Sequence, residues 1–275
     1  MKKAGFWILA MVFVLNSPAF GADCLSAFKQ EHGNLAIAGG TAHIPVVKEA
    51  ARRIMTYNKD IRITIGGGGS GVGIKKVGEG LIDIGNSGRK PTDNEIERYG
   101  LTMYRWAVDG VAVVVNPARE IRNLNTKILE KLFSGDIQNW KEVGGNDAPV
   151  NVYTRDASSG TRKVFWKKAL SKGEITGNAN FVSSNGAMKT AVANDVNSIG
   201  YISMGHIDGT VKGVALNGTA PTLENVKSGK YAVARGLYSN TKGKAVGLAE
   251  KFIDYLYSTD GQAIISAKGF IPVGQ

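Results

Sequence analysis

Three short apolar runs of strand length alternate with helical patterns in the first third of the chain. Leu35-Ala36-Ile37-Ala38 reads as a buried strand ending in Gly39-Gly40-Thr41. Ile61-Arg62-Ile63-Thr64-Ile65 alternates as a half-buried strand does, and Leu81-Ile82-Asp83-Ile84-Gly85 is the third run. Between the first two, Val46, Val47, Ala50, Ala51, Ile54 and Met55 recur on one helical face. Pro45 falls in that helix's first turn, where its missing N–H loses no bond. A glycine tract and a second helical pattern separate the other two runs. This β-α-β-α-β order predicts an α/β fold built on a mainly parallel sheet.

The alternation continues to the end of the chain. Val111 to Val115 is the most apolar strand candidate, closed by Asn116-Pro117. A helix is expected from Thr126 to Phe133, a strand from Val150 to Thr154, a helix opening at Ser159 and another from Ala187 to Ala193. A strand at Ile199 to Ser203, one at Tyr231 to Leu237 and a long helix from Lys244 to Tyr257 complete the reading. No internal repeat, low-complexity tract or linker interrupts it, so two domains would be joined by strand-like crossings and not by a tether.

The first 21 residues have the layout of an export signal. Lys2 and Lys3 precede an unbroken apolar run from Phe6 to Leu15, too short to span a bilayer but right for the core of a cleavable signal. Asn16-Ser17-Pro18 break the run, and Ala19 and Gly21 supply the small residues a signal peptidase reads. The only cysteine, Cys24, follows Asp23, whereas a lipoprotein signal places a small residue there; release as a soluble periplasmic protein with a free thiol is expected. The formal charge of the 275-residue chain is +11, with the basic residues scattered along it. That scatter, with an export signal, argues against a nucleic-acid partner, and a positive field attracts small anions.

Three turns share one design: a glycine-rich strand end meeting Ser or Thr at the start of a helix. They are Gly39-Gly40-Thr41-Ala42, the tract Gly66-Gly67-Gly68-Gly69-Ser70-Gly71-Val72-Gly73, and Ser158-Ser159-Gly160-Thr161 just after Arg155. A helix N-terminus offers unpaired N–H groups and a partial positive charge, glycine lets backbone approach a ligand, and a hydroxyl adds a donor. Together they can make an oxyanion site. Ser and Thr are equally the ordinary N-caps, so each turn alone also reads as a cap. Arg155 adds a permanent charge with the fork geometry that suits phosphate, and Asp156 beside it could hold or partly neutralise it.

Other chemistries find little support. The tract lacks the Gly-Lys-Ser/Thr ending of a nucleotide P-loop and the spacing of a dinucleotide fingerprint. His32, His43 and His206 have no metal-ligand spacing, and Ser26-Ala27-Phe28-Lys29 matches Ser-x-x-Lys without its partner motifs. No cofactor, metal or catalytic set is implied.

Gly66–Gly73, Leu132-Phe133-Ser134-Gly135-Asp136-Ile137-Gln138-Asn139-Trp140, Arg155–Thr161 and Ser198-Ile199-Gly200-Tyr201, in that order, resemble the phosphate-binding proteins of bacterial ABC phosphate transporters. The resemblance spans nearly the whole chain after the signal. It implies a two-lobed periplasmic-binding-protein (type II) clamshell, each lobe a mainly parallel sheet flanked by helices. It assigns 1–21 to the signal peptide, 22–112 with 216–275 to one lobe and 113–215 to the other. It further implies that a monomer without catalytic activity binds inorganic phosphate between the lobes and delivers it to membrane-embedded permease subunits. Another tetrahedral oxyanion, a sensor or adhesin role, and phosphate-ester hydrolysis on the same fold stand as alternatives. By the same resemblance, Thr41, Ala42 and Ser70 would meet the anion from one lobe and Arg155, Ser159, Gly160 and Thr161 from the other, with Arg155 the only full charge. One position departs: where the family carries an Asp or Ser after the third strand, this chain has Gly88, with Ser87 one residue earlier. Either Ser87 or the Gly88 N–H would then serve. Where the family has Asp, its carboxylate accepts a ligand proton and helps reject sulfate, so Gly88 leaves selectivity among oxyanions open.

Overall fold

The computed structural model describes residues 22–274; the export signal expected over 1–21 lies outside them. Helix α1 (Ala22–Leu25) precedes β1 (Gly33–Gly39), α2 (Ile44–Tyr57), β2 (Ile61–Gly68), α3 (Ser70–Gly78), β3 (Ile84–Ser87) and α4 (Asp93–Tyr99). Next come β4 (Leu101–Val115), β5 (Asn123–Leu124), α5 (Thr126–Ser134), β6 (Asn151–Thr154), α6 (Gly160–Lys168), β7 (Asn180–Phe181), α7 (Asn185–Asn194) and β8 (Ser198–Ser203). The chain ends with β9 (Lys212–Leu216), α8 (Leu223–Lys227), β10 (Ala234–Lys242), α9 (Gly247–Tyr257), α10 (Thr259–Ala267) and β11 (Ile271–Pro272).

The predicted β-α-β-α-β unit forms a parallel β2-β1-β3 sheet, with Leu35 opposite Ile63 and Ile37 opposite Ile84. Helix α2 buries Val46, Val47, Ala50, Ala51 and Ile54 against it. The third strand starts later than its apolar run suggests. Leu81 is 65% exposed, and Asp83 brackets Ala36 instead, its carboxylate accepting Ala36 N at 2.7 Å and its own N–H donating to Ala36 O at 2.9 Å.

Strand β4 sets the architecture. At fifteen residues it runs for about 50 Å. Residues Leu101 to Gly110 pair antiparallel with β10, and Val111 to Val115 pair antiparallel with β8 and β9. One strand therefore belongs to two sheets, β2-β1-β3-β10-β4 and β9-β4-β8-β6-β7; β2-β1-β3 and β8-β6-β7 pair parallel, while β10, β8 and β9 pair antiparallel with β4. Each sheet has its own core. Leu35, Ile37, Trp106, Ala107, Phe252 and Phe270 are buried in one; Val111–Val115, Phe133, Trp140, Phe165 and Tyr201 are buried in the other.

These cores bear on the lobe boundaries. Val111 and Ala112 already pack in the second core, as do Leu216, Val226, Tyr231 and Val233. Tyr231 donates its hydroxyl proton to Val111 O at 3.0 Å. We therefore place the outward crossing at Val108–Gly110, slightly before the expected 112. We place the return at Val233–Ala234 and not at 216, because β9 pairs with the second half of β4 and residues 217–233 fold beneath it. Strand β10 accordingly starts at Ala234, later than the expected Tyr231, and runs on to Lys242.

Candidate functional site

Three loops meet where the two sheets face each other. Strand β1 ends at Gly39, with φ of +121°. Gly40 N donates to Asn86 O at 2.7 Å, and Gly39 O accepts Gly69 N at 3.0 Å, which stitches the loops after β1, β2 and β3 together. The glycine tract is explained by close backbone approach: a Cβ on Gly73 would lie 2.6 Å from Asn86 O and 2.8 Å from Gly39 Cα. Helix α3 thus lies directly on the strand ends. His43 supports the first loop from below; its Nδ1 donates to Gly40 O at 3.0 Å and its ring meets Trp106 edge-on. Burial, reinforced by Arg235, drives His43 down to about 3, so it is neutral.

The second sheet contributes the turn after β6. Tyr201 on β8 anchors it, its hydroxyl accepting Arg155 N at 3.0 Å and bonding Thr154 Oγ1 at 2.9 Å. Tyr201 stacks on Phe165 at 4.2 Å, and Phe133 packs against both rings. Two motifs that carry the family resemblance, around Phe133 and Tyr201, therefore form the scaffold beneath Arg155. Ser159 is the N-cap of α6, its Oγ accepting Arg162 N at 3.2 Å.

Between these loops lies a narrow, tightly closed cleft. The first sheet lines it with Gly40, Thr41, Ala42, Gly69, Ser70 and Gly88. Arg155, Ser159, Gly160 and Thr161 line it from the second. Eight of the nine residues expected from sequence thus share one cleft. The exception is Ser87, which faces away; its Oγ donates to Arg89 O at 2.9 Å and accepts Asn240 Nδ2 at 2.9 Å. Gly88 does reach the wall, but its N–H donates to Ser70 Oγ at 2.9 Å. In this shut form the Ser87 hydroxyl and the Gly88 N–H are thus both engaged by the protein itself.

The cleft is shut. Asn185, at the start of α7, donates from N and Nδ2 to Thr41 Oγ1 at 3.2 and 3.0 Å. Ser158 Oγ donates to Gly68 O at 2.9 Å, and Gly71 N donates to Ser158 O at 3.0 Å. His206 Nε2 lies 3.2 Å from Thr41 O. All these bonds join the first sheet to the second, and Thr41, Ser70, Arg155, Ser159 and Thr161 are buried between them.

Two arginines line the cleft, where the sequence points to one. Arg155 is 1% exposed. Its Nη2 donates to Ser183 O at 3.0 Å, while Nε and Nη1 have no protein acceptor among the described residues. The neighbouring Asp156 makes no ion pair with it: one carboxylate oxygen accepts Ser158 N at 2.8 Å. Burial pulls Arg155 below its ordinary value, with Tyr201 and Asp156 opposing. Arg235, on β10, is opposite Asp109 of β4 in the strand register. It donates from Nε and Nη2 to Asp109 Oδ2 at 2.9 and 2.8 Å, and from Nη2 to Thr161 Oγ1 at 3.0 Å. Burial pushes the Asp109 carboxyl up, while Arg235 and Ser203 pull it back. The sequence does not single out Arg235, because its partner is 126 positions away. The only local signal is a charge inside an otherwise strand-like segment.

Known proteins resemble this chain over most of its length. A PBP superfamily domain matches residues 27–260. The phosphate-binding protein PstS of Bacillus subtilis is 37% identical over 255 residues, spanning 92% of this chain and 85% of that protein. PstS of Borreliella burgdorferi is 32% identical over 287 residues, 99% of each. A Clostridium perfringens protein described as a phosphate ABC transporter substrate-binding protein, solved with bound phosphate, superposes with a TM-score of 0.82. It is 33% identical and covers 88% of this chain and all of its own.

Proposed function

The chain belongs to the PBP superfamily, with phosphate-binding transport proteins among its relatives, and from that premise we propose how its cleft works. It binds inorganic phosphate and serves an ABC-type phosphate transporter. The observation that carries this reading is Arg155: a guanidinium 1% exposed, with Nε and Nη1 unpaired in the cleft wall. Buried donors without acceptors cost roughly 1–3 kcal/mol each, more when charged, so such a group is retained where a ligand supplies the acceptors. A phosphate oxygen pair matches the fork. The hydroxyls of Thr41, Ser70, Ser159 and Thr161, the loop before α2 and the starts of α3 and α6 surround the same space. Their helix N-termini favour an anion without adding full charges.

Thr41 and Ser70 approach from one sheet and Arg155, Ser159 and Thr161 from the other, so an anion held by both favours the shut form by its contacts to each side. Strand β4 and the turn before β10 are the hinge. Opening them frees the anion for membrane-embedded permease subunits. The protein acts as an exported periplasmic monomer, released by cleavage after residue 21, and it turns nothing over.

Titration calorimetry on the anion-stripped mature protein tests the reading. One phosphate per chain, bound tightly at neutral pH, is expected, with no phosphate released from a simple phosphomonoester. Absence of phosphate binding would end the reading, and steady ester hydrolysis would replace it with an enzymatic one.

A further inference from the structure

Every hydroxyl in the cleft wall is already committed to the protein as an acceptor. Thr41 Oγ1 receives two hydrogens from Asn185, at 3.2 and 3.0 Å. Thr161 Oγ1 receives one from Arg235 Nη2 at 3.0 Å and one from Asn185 Nδ2 at 3.3 Å. Ser70 Oγ accepts Gly88 N at 2.9 Å, and Ser159 Oγ accepts Arg162 N at 3.2 Å. A hydroxyl has one proton and two lone pairs. Thr41 and Thr161 have filled both, so only their O–H remains to be offered. Ser70 and Ser159 keep one lone pair each, and none of the four donates to a protein oxygen among the described residues.

The charged groups lean the same way. Arginine has no acceptor atom, and among the described residues no carboxylate lines the cleft. Asp109, behind the wall, has both oxygens occupied: Oδ2 by Arg235 and Oδ1 by Ser203 Oγ at 3.0 Å. A Cβ added to Gly88 would lie 2.6 Å from Arg235 Nη1 and 2.9 Å from its Cζ. The guanidinium therefore fills the room that a side chain at position 88 would take. Asn185 sets the polarity of both threonines, because its amide hydrogens close their lone pairs.

We propose that this cleft selects its anion by charge and not by a ligand proton, taking phosphate as the dibasic ion and admitting sulfate as a competitor. The inference rests on the anion-binding reading above and names the ionic form that the site takes. Monobasic phosphate turns two O–H donors toward the wall, so both remaining side-chain lone pairs, on Ser70 and Ser159, would have to face its protons at once. Dibasic phosphate turns one, which among the side chains of the wall either Ser70 or Ser159 can accept, and sulfate turns none. One mismatched neutral hydrogen bond is worth about 1 kcal/mol, so sulfate should bind within about tenfold of dibasic phosphate.

The test is calorimetry on the stripped protein with phosphate and with sulfate, each on the acid and alkaline sides of phosphate's second ionisation. Arg155, Arg235 with Asp109, His43, His206 with Lys189, and Asp156 act on both anions, so the ratio of the two affinities isolates the ligand's own proton. That ratio should move toward sulfate as pH falls below phosphate's second ionisation, by at most about tenfold per pH unit, and level off where monobasic phosphate takes over the binding. Asn185→Ala frees lone pairs on Thr41 and Thr161 and should move the ratio back toward phosphate, by up to about tenfold, whatever it does to overall affinity. Strong phosphate binding with sulfate silent, or a ratio that ignores pH, overturns the proposal and leaves the phosphate reading intact. A ratio unmoved in a folded Asn185→Ala protein removes the role given to the lone pairs. Sulfate binding with phosphate silent keeps the donor wall and ends the phosphate reading, and silence from both ends the two together.

Discussion

Arg155 and Arg235 line one cleft, and both are buried, yet they differ in what they hold. Arg235 is saturated by protein: Asp109 across the strand pair and Thr161 Oγ1 from the other sheet. Arg155 has a single backbone acceptor, Ser183 O, and two idle donors. The first is an internal ion pair placed at the crossing between the lobes, and the second is a charge kept ready for something outside the protein. A buried cation in a binding cleft is thus not functional by virtue of being there. Its unpaired donors decide whether it serves the fold or the ligand.

Removing each arginine should separate the two roles. Arg235→Ala strands the Asp109 carboxylate among Ser203, Met204 and apolar strands. Breaking one side of a buried pair costs about 3–5 kcal/mol, so the largest effect expected is a fall in unfolding free energy of that size in urea. Asp109→Ala together with Arg235→Ala should recover much of it, because no lone charge is then left inside. A single variant as stable as the wild type would erase the distinction between the two arginines.

Arg155→Ala should do the reverse. Two charge-assisted bonds to an anion are lost, at about 1.5–3 kcal/mol each, and phosphate affinity should drop by about a hundredfold or more in calorimetry. The stripped protein should melt no lower than the wild type, since an unpaired buried charge has gone. Lys90→Ala, on the exposed turn after β3, is the control and should change affinity by less than about twofold. Equal losses at 155 and 90 would remove Arg155 from the site.

The same contrast explains what can be read from sequence. Thr41, Ser70, Ser159 and Thr161 lie at glycine-bearing strand ends and helix starts, and Ser159 is itself a capping hydroxyl. Each signal lies within a few residues, and all four are legible in the amino-acid sequence alone. Arg235 and Asn185 are not, because their partners are more than a hundred positions away, at Asp109 and Thr41. Ser87 is expected in the wall because it adjoins Gly88. Strand β3 instead holds it toward Asn240 of β10, its antiparallel neighbour. The fold is legible where apolar alternation is regular. It is obscured over Leu101 to Gly110, where exposed Arg105 and half-buried Thr102, Met103 and Tyr104 blur the period before the apolar run begins.

Gly160 offers a smaller test that falls between the two arginines. It opens α6 on the Arg155 side, and a Cβ there would lie 2.1 Å from Ser70 Oγ and 3.3 Å from Gly88 C, on the Arg235 side. Within its own helix alanine is favourable by about 0.5–1 kcal/mol. The clash exists only when the lobes are shut, and overpacking of this kind costs about 1–3 kcal/mol. Gly160→Ala should therefore weaken phosphate by about tenfold to a hundredfold while the stripped protein holds or gains stability. A loss of stability without a loss of affinity would mean that this approach is not a feature of closure.

His206 gives the smallest effect and reads the field of both arginines at once. Burial holds it down to about 4; the bond to Thr41 O opposes this, and Lys189, Arg235 and Arg155 add to the lowering. In an open cleft it would return toward the ordinary imidazole value of about 6.5. A base whose proton is held more weakly in the shut form stabilises that form fully above its ordinary value. The contribution is lost as pH falls from about 6.5 toward about 4. His206→Gln keeps a donor for Thr41 O and cannot take up the proton. Measured with the same anion at each pH, so that the ligand's own ionisation cancels, the variant should match the wild type above neutrality. It should then outbind the wild type increasingly as the solution is acidified, by less than about tenfold per pH unit. Parallel curves for the two proteins would place the acid weakening in the ligand or in another group. A gap that widens with acid would show that burial in the shut cleft, aided by the cations around it, keeps this histidine uncharged.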